Sequence, residues 1–251
     1  MSATVLEARE LEKRFGALAA VDRVSLAVGR GERLALIGPN GAGKSTLFAL
    51  LAGELRPDHG SVHLLGHDVT RWPPERRARL GLGRSFQRNR LFPGCTVRDH
   101  LALALLARRG LAGVFWRDPA RGPELRRRVE EEAGRLGLRE ALDVPVEALA
   151  YGERRQVELA VAMAGDPPLL LLDEPTAGMA PAETGRVLAL LERLPPRITV
   201  VLVEHDLDLV FAFARRVVVL DSGRIVFEGT PAEARASPVV REVYMGAEEA
   251  A

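Results

Sequence analysis

The nine residues Gly38-Pro39-Asn40-Gly41-Ala42-Gly43-Lys44-Ser45-Thr46 restrict the fold of this chain more than any other stretch. They follow an apolar run, Leu34-Ala35-Leu36-Ile37, and precede a helix-like run, Leu47 to Ala52, that stops at Gly53. Strand, glycine loop, helix is the order that a phosphate-binding loop requires. Its glycines let the backbone curl so that successive N–H groups point at anionic oxygens, and the helix N-terminus adds its positive dipole end. In such a loop Lys44 reaches the outer phosphates and the Ser45 hydroxyl ligates Mg²⁺. A tight strand-to-helix turn could match the pattern by chance. The flanking strand and helix favour the phosphate loop.

A chain of 251 residues can bury a large core as one big domain or two small ones. Its formal net charge of +1 argues against a dedicated nucleic-acid binder, which carries a basic excess. Only Lys13 and Lys44 are lysines, which makes Lys44 stand out. The single cysteine, Cys95, excludes an intramolecular disulfide and fits a reducing compartment. Met1 to Phe15 has no apolar core of signal-peptide type, and no apolar run approaches the ~18 residues a membrane span needs. A soluble protein is expected, with any membrane role exercised through partners.

In chain order, Val5–Phe15, Val24–Val28 and Ser61–Leu65 read as strands of an antiparallel region, with Asp22-Arg23 and Gly29–Gly31 as turns. Arg71–Arg79 is polar, basic and proline-bearing, so a surface connection is expected there, followed by a short strand within Leu80–Phe86. Thr96-Val97-Arg98-Asp99 matches a capping box before a helix ending at Gly110, and Pro123–Leu136 reads as a charged helix. Residues from about 88 to 148 therefore read as a helical subdomain inserted into an α/β core. Helix Arg154–Ala164, buried strand Leu169–Leu172, helix Pro181–Leu194 and strand Ile198–Val203 follow. Strands Arg216–Leu220 and Arg224–Phe227 and a last helix opened by Thr230-Pro231 complete the reading.

Ligands of a parallel α/β sheet bind beyond the carboxyl ends of its strands. Three segments put polar groups there: Gly38–Thr46, Asp173-Glu174 and His205. An acid directly after an apolar strand suits a Mg²⁺ shell, and the next carboxylate, Glu174, can polarise an attacking water. Taken alone, Asp173-Glu174 could equally cap a helix, and His205 could be a hydrogen-bonded structural histidine. Phe15 could stack on a purine or fill a core.

Leu149-Ala150-Tyr151-Gly152-Glu153, shortly before Leu169–Pro175, resembles the signature motif of the ATP-binding cassette (ABC) ATPases. The resemblance covers nearly the whole chain. It implies an α/β P-loop NTPase core of ABC type, with an antiparallel β subdomain and an inserted helical subdomain, as one domain over 1–251. It assigns Phe15 to the adenine-stacking A-loop, Gln87 to the Q-loop with Mg²⁺ contact, Ala177–Ala180 to the D-loop and His205 to the switch histidine. ATP and Mg²⁺ are the implied cofactors; Lys44, Gln87, Glu174 and His205 are the implied catalytic set, and Ser45, Gln87 and Asp173 the metal set. Glycine-loop and signature residues bind nucleotide across a head-to-tail dimer, homo- or heterodimeric. The other implied partners are integral membrane permease subunits and, indirectly, a solute-binding protein. The implied place is cytoplasmic, on the inner face of the cell membrane.

Two positions depart from the family pattern. Ala150 replaces the usual signature serine, and Ala180 the usual D-loop aspartate. Backbone N–H groups at Gly152 and the following helix start can still meet phosphate. Arg84-Ser85-Phe86-Gln87, Arg90-Leu91-Phe92-Pro93, the Leu-Ala-Tyr-Gly signature and Val243-Tyr244-Met245-Gly246 resemble the ATPases of branched-chain amino acid importers. The long stretch from Gln87 to the signature, through Val114-Phe115-Trp116, favours the larger of that system's two types. Cassettes for urea or amide import or lipopolysaccharide export look alike. A soluble ABC ATPase acting on nucleic acid would bring two cassettes or coiled-coil insertions, and a P-loop kinase would have no use for a signature segment.

Overall fold

The computed structural model describes residues 4–85, 91–108, 110 and 122–248. Alternating apolar and polar residues form β1 (Thr4–Phe15) and β2 (Leu18–Gly29), an antiparallel pair closed at Phe15 and Leu18. The expected turn at Asp22-Arg23 lies instead inside β2. Arg23 takes φ 50° and the ladder to β1 shifts register across it, so the polar pair is absorbed as a bulge. After β3 (Arg33–Ile37), β4 (His59–Leu64) and β5 (His67–Asp68) complete a four-stranded antiparallel sheet ordered β2-β1-β4-β5.

The second sheet runs β10-β9-β3-β8-β7-β6. Its members are β3, β6 (Leu82–Arg84), β7 (Leu169–Asp173), β8 (Thr199–Val203), β9 (Arg216–Asp221) and β10 (Arg224–Gly229). All its pairings are parallel except β9 with β10. Every residue of β7 and β8 is buried, because helices or the first sheet cover both faces. The pleat divides them: Leu170 and Leu172 join one core, Leu169 and Leu171 another.

Helix α1 (Lys44–Ala52) follows the glycine loop and packs Leu47, Phe48 and Leu51 between the two sheets. The chain leaves the large sheet after β6 and returns at β7. Between them lie α3 (Val97–Arg108), α4 (Pro123–Arg135) and α5 (Tyr151–Met163), which share one core with α6 (Pro181–Glu192) and one face of β7 and β8. The capping box before α3 forms with aspartate: Asp99 Oδ2 accepts from the Thr96 N–H at 2.9 Å, and Thr96 Oγ1 from the Asp99 N–H at 3.2 Å. On the opposite face, α7 (Leu207–Phe213), α8 (Pro231–Ala236) and α9 (Pro238–Glu248) pack Val210, Ala234 and Val240 against Ala35, Ile37, Val217 and Val219.

Arg71–Arg79 is more than a surface connection. It carries all but the last residue of α2 (Pro74–Leu80), whose Arg77 is fully buried. The Arg77 guanidinium makes five hydrogen bonds to carbonyl oxygens, two of them to Leu50 and Leu51 at the C-terminal end of α1. A cation there answers the negative end of the helix dipole. Burial pushes its pKa down to about 10, which still leaves it charged at neutral pH. Two further expectations shift: helix α5 starts at Tyr151 rather than Arg154, and the strand within 80–86 spans only β6.

Candidate active site

Strands β3, β8 and β7 are neighbours, so the glycine loop, His205 and Asp173-Glu174 issue side by side from their carboxyl ends. The loop is built where only glycine fits. Gly38 has φ 149° and a Cβ there would stand 2.0 Å from the Leu220 carbonyl oxygen. Gly43, at φ 100°, would put one 2.1 Å from that of Ala20. The Ala42 carbonyl accepts from the Gly223 N–H, so the loop is braced by the β9–β10 turn. Asn40, Gly41 and Ser45 are exposed, and Pro39 and Thr46 partly so. Gly43 caps α1 without a side-chain acceptor for its first-turn N–H groups. Lys44 folds back: its Nζ donates to the carbonyls of Gly38 at 2.7 Å and Pro39 at 2.8 Å. Burial pushes its pKa down, opposed by the charges of Glu174 and Asp173.

Asp173 ends β7 and is 5 % exposed. Its N–H donates to Ser85 Oγ at 3.0 Å, while its carboxylate Oδ1 is buried without a hydrogen-bond partner among the described residues. Burial first, then the Glu174 charge, pushes its pKa up. An orphaned carboxylate oxygen whose charge is felt at Lys44, next to the exposed Ser45, fits a hard divalent cation. Among the described residues no group of three or more His, Cys, Asp or Glu could hold a metal. Asp173 and Ser45 would leave the rest of a cation's shell to waters and phosphate oxygens, as Mg²⁺ accepts. Gln87 lies outside the described residues.

Glu174 is held from three sides. Its N–H donates to the Val203 carbonyl at 2.8 Å, its own carbonyl accepts from Arg155 Nη2 at 2.9 Å, and its Oε1 lies 2.7 Å from His205 Nε2. Its φ of 44° is the left-handed conformation, which turns the side chain off the strand end. Behind the pair sits Glu204, 3 % exposed. Its Oε1 accepts from the Thr176 N–H at 3.0 Å and Oγ1 at 2.5 Å, and its Oε2 from the His205 N–H at 2.9 Å. Glu204, directly after β8, thus bridges Thr176 in the loop after β7 to His205. Sequence reasoning did not single out Glu204, Arg155 or Thr176. The one available signal was a charged residue between an unbroken apolar strand and His205.

Phe15 ends β1, half exposed, with Lys13 Nζ 5.8 Å from its ring centroid. The close approach of Ala20 to Gly43 brings this hairpin to the glycine loop. The segment Leu149–Glu153 makes its contacts elsewhere. Leu149 is buried; Ala150 is the exposed N-cap of α5, and its N–H donates to Glu153 Oε2 at 2.9 Å. Tyr151 Oη donates to the Ala177 carbonyl at 3.2 Å, and a Cβ on Gly152 would meet Glu183 Oε1 at 1.9 Å. The Glu183 carboxylate accepts from the Ala180 N–H, which caps α6, and it packs closely against Gly152 at the start of α5.

A family model described as ABC transporter matches residues 21–177, from within β2 to the loop after β7. The chain belongs to the ABC transporter family. A second model, described as branched-chain amino acid ATP-binding cassette transporter, matches residues 224–250. This ABC chain is 38% identical over 254 residues to the high-affinity branched-chain amino acid transport ATP-binding protein BraF of Pseudomonas aeruginosa, covering 98% of this chain and 99% of the relative. Its identity to LivG of Escherichia coli strain K12, named for the same transport, is 36% over 258 residues, with the same coverage. Among solved structures, the ADP conformation of an ATP-binding cassette of an ABC transporter superposes with a TM-score of 0.85 at 29% identity, covering 98% of this chain and all of that one. No helix among the described residues is long and apolar enough to cross a membrane.

Proposed function

We propose that this chain is the ATP-hydrolysing subunit of an ABC importer for branched-chain amino acids. The observation that carries the solute class is the match of residues 224–250 to the branched-chain model, beyond the general ABC match. The chain would work as a head-to-tail dimer, peripheral on the inner face of the cell membrane, and dock on permease subunits fed by a solute-binding protein. An apolar groove of about 460 Å³ supports that docking; Leu91, Phe92, Leu103, Ala104, Ala107 and Val161 help line it, and Phe92 is 59% exposed.

The N–H groups of the glycine loop and of the α1 start receive the phosphates, while Phe15 offers its ring face to the adenine. Lys44 exchanges the Gly38 and Pro39 carbonyls for phosphate oxygens, a swap of neutral acceptors for charged ones that favours the bound form. Ser45 and Asp173, with Gln87, would hold Mg²⁺, which when bound would neutralise charge developing on the transferred phosphoryl. Glu174 takes the proton of the attacking water and His205 holds the carboxylate's orientation. Leu149–Glu153 of the second subunit closes over the nucleotide, using backbone N–H groups where Ala150 lacks a hydroxyl.

The test is reconstitution of the chain with its permease subunits and solute-binding protein in vesicles. ATP-dependent uptake of radiolabelled leucine, isoleucine or valine is expected. Uptake of urea or an amide with none of leucine would overturn the solute assignment and leave the ATPase reading standing.

A further inference from the structure

The C-terminal helix reaches the phosphate loop. The Gly38 N–H donates to Tyr244 Oη at 3.0 Å, across 206 positions of sequence. Gly38 is the first residue of the loop and the last point at which β3 could guide it. Its two backbone polar groups are both engaged: the N–H by Tyr244 and the carbonyl by Lys44 Nζ at 2.7 Å. The Leu220 carbonyl, 2.0 Å from where a Cβ would stand, leaves no room for any other residue. The tyrosine ring itself packs with Val243 and Phe227 on the core made by Ala35, Ile37, Val217, Val219 and Val240. Burial pushes the Tyr244 pKa up, so the hydroxyl stays neutral over the physiological range.

From this geometry we infer that Tyr244 is a positioning residue for nucleotide binding: its hydroxyl fixes the Gly38 peptide and thereby sets the phosphate cradle and the departure point of Lys44. A buried N–H that loses its acceptor either reorients or stays unsatisfied, and each outcome degrades a loop whose affinity depends on aimed N–H groups. The groups proposed to act on the attacking water, Glu174 and His205, lie just beyond β7 and β8 and make no contact with Tyr244 or Gly38 among the bonds described above. The hydroxyl therefore bears on binding and not on the chemical step. The inference rests on the nucleotide reading of the loop.

The test compares Tyr244→Phe with Val240→Ala, which loosens the same helix on the same core without touching the hydroxyl. Calorimetric titration of the full chain with Mg-ATP and Mg-ADP, thermal unfolding and steady-state ATPase rates are measured on both. For Tyr244→Phe, roughly three- to tenfold weaker binding of both nucleotides is expected, the worth of one hydrogen bond. Its KM should rise alike, with kcat at saturating ATP within about twofold. Val240→Ala should lower the melting temperature and leave both affinities unchanged. Equal affinity for Tyr244→Phe and the unaltered chain would overturn the role of the hydroxyl alone. So would an equal weakening in Val240→Ala, which would make helix packing the cause. Nucleotide binding by neither the unaltered chain nor the variant would overturn the cradle and the tyrosine's role with it.

Discussion

The Nε2 of His205 stands 2.7 Å from Oε1 of Glu174, the acid that follows the buried Asp173. That contact fixes the orientation of the carboxylate proposed to meet the attacking water. Both residues are anchored through their main chains, Glu174 to Val203 and Arg155, His205 to Glu204. Replacing Glu174 by glutamine keeps the shape and removes the base. Hydrolysis should fall about 10²- to 10⁴-fold, while ATP still binds, because glycine loop and Asp173 are untouched. Loss of the charge also relieves repulsion against the γ-phosphate, so an ATP-dependent dimer should accumulate. Light-scattering chromatography with and without ATP, beside a phosphate-release assay, checks both. Normal hydrolysis by the variant would remove Glu174 from the role of base.

Glu204 should matter through that pair. Glu204→Gln can still accept from Thr176 with its amide oxygen, but its NH₂ would face the His205 N–H, donor against donor. His205 would then be displaced from Glu174. Turnover is expected to fall about tenfold with the Kd for ATP unchanged, since no loop glycine is involved. A weaker Kd at normal turnover would refute this.

Much of this candidate site is legible in the sequence, and the reasons are local. A glycine loop between an apolar strand and a helix is dictated by the backbone it must form. The uninterrupted Leu169–Leu172 reads as a strand covered on both faces, and β7 is buried throughout. What escaped is what tertiary contact decides. The Thr176–Glu204 bridge spans 28 positions and the Gly38–Tyr244 bond 206, and neither leaves a trace in periodicity or spacing. Arg77 sits in a basic tract that composition reads as surface, and only the end of α1 lying against it reveals a buried cap. Helix α7 is apolar at six of its seven positions, all but Asp208, and too short for a period to appear.

Arg77 gives a stability prediction. Methionine matches its stem but leaves the carbonyls of Leu50, Leu51, Val69 and Trp72 without their buried donor. Hydrogen bonds to a charged group contribute about 3 kcal/mol at the upper end, and at 2–4 °C per kcal/mol a domain of this size should melt about 6–12 °C lower. Differential scanning calorimetry of Arg77→Met measures it. A melting temperature within about 2 °C of the parent would show that water or neighbouring donors replace the guanidinium.

Ala150 supplies the last prediction, because its place at the start of α5 separates a structural effect from a catalytic one. The N-cap residue there has extended backbone geometry and no side-chain acceptor, although Glu153 already closes onto the Ala150 N–H. Half of a capping box is thus in place, and Ala150→Ser would complete it with an acceptor for the first-turn N–H groups. The gain is about 1 kcal/mol, which should raise the melting temperature by about 2–4 °C. If Gly152 and the helix start already satisfy the phosphate of a facing subunit, the new hydroxyl adds one neutral hydrogen bond. Turnover should then change by less than about tenfold. Gly152→Ala is the counterpart: its Cβ would meet Glu183 Oε1 at 1.9 Å, forcing that carboxylate away from the Ala180 N–H, opening the cap of α6 and disturbing the packing of the α5 start against it. It should lower turnover without weakening ATP binding to the glycine loop. A rise of several orders of magnitude in Ala150→Ser would mean that the missing hydroxyl, and not the backbone, limits this cassette.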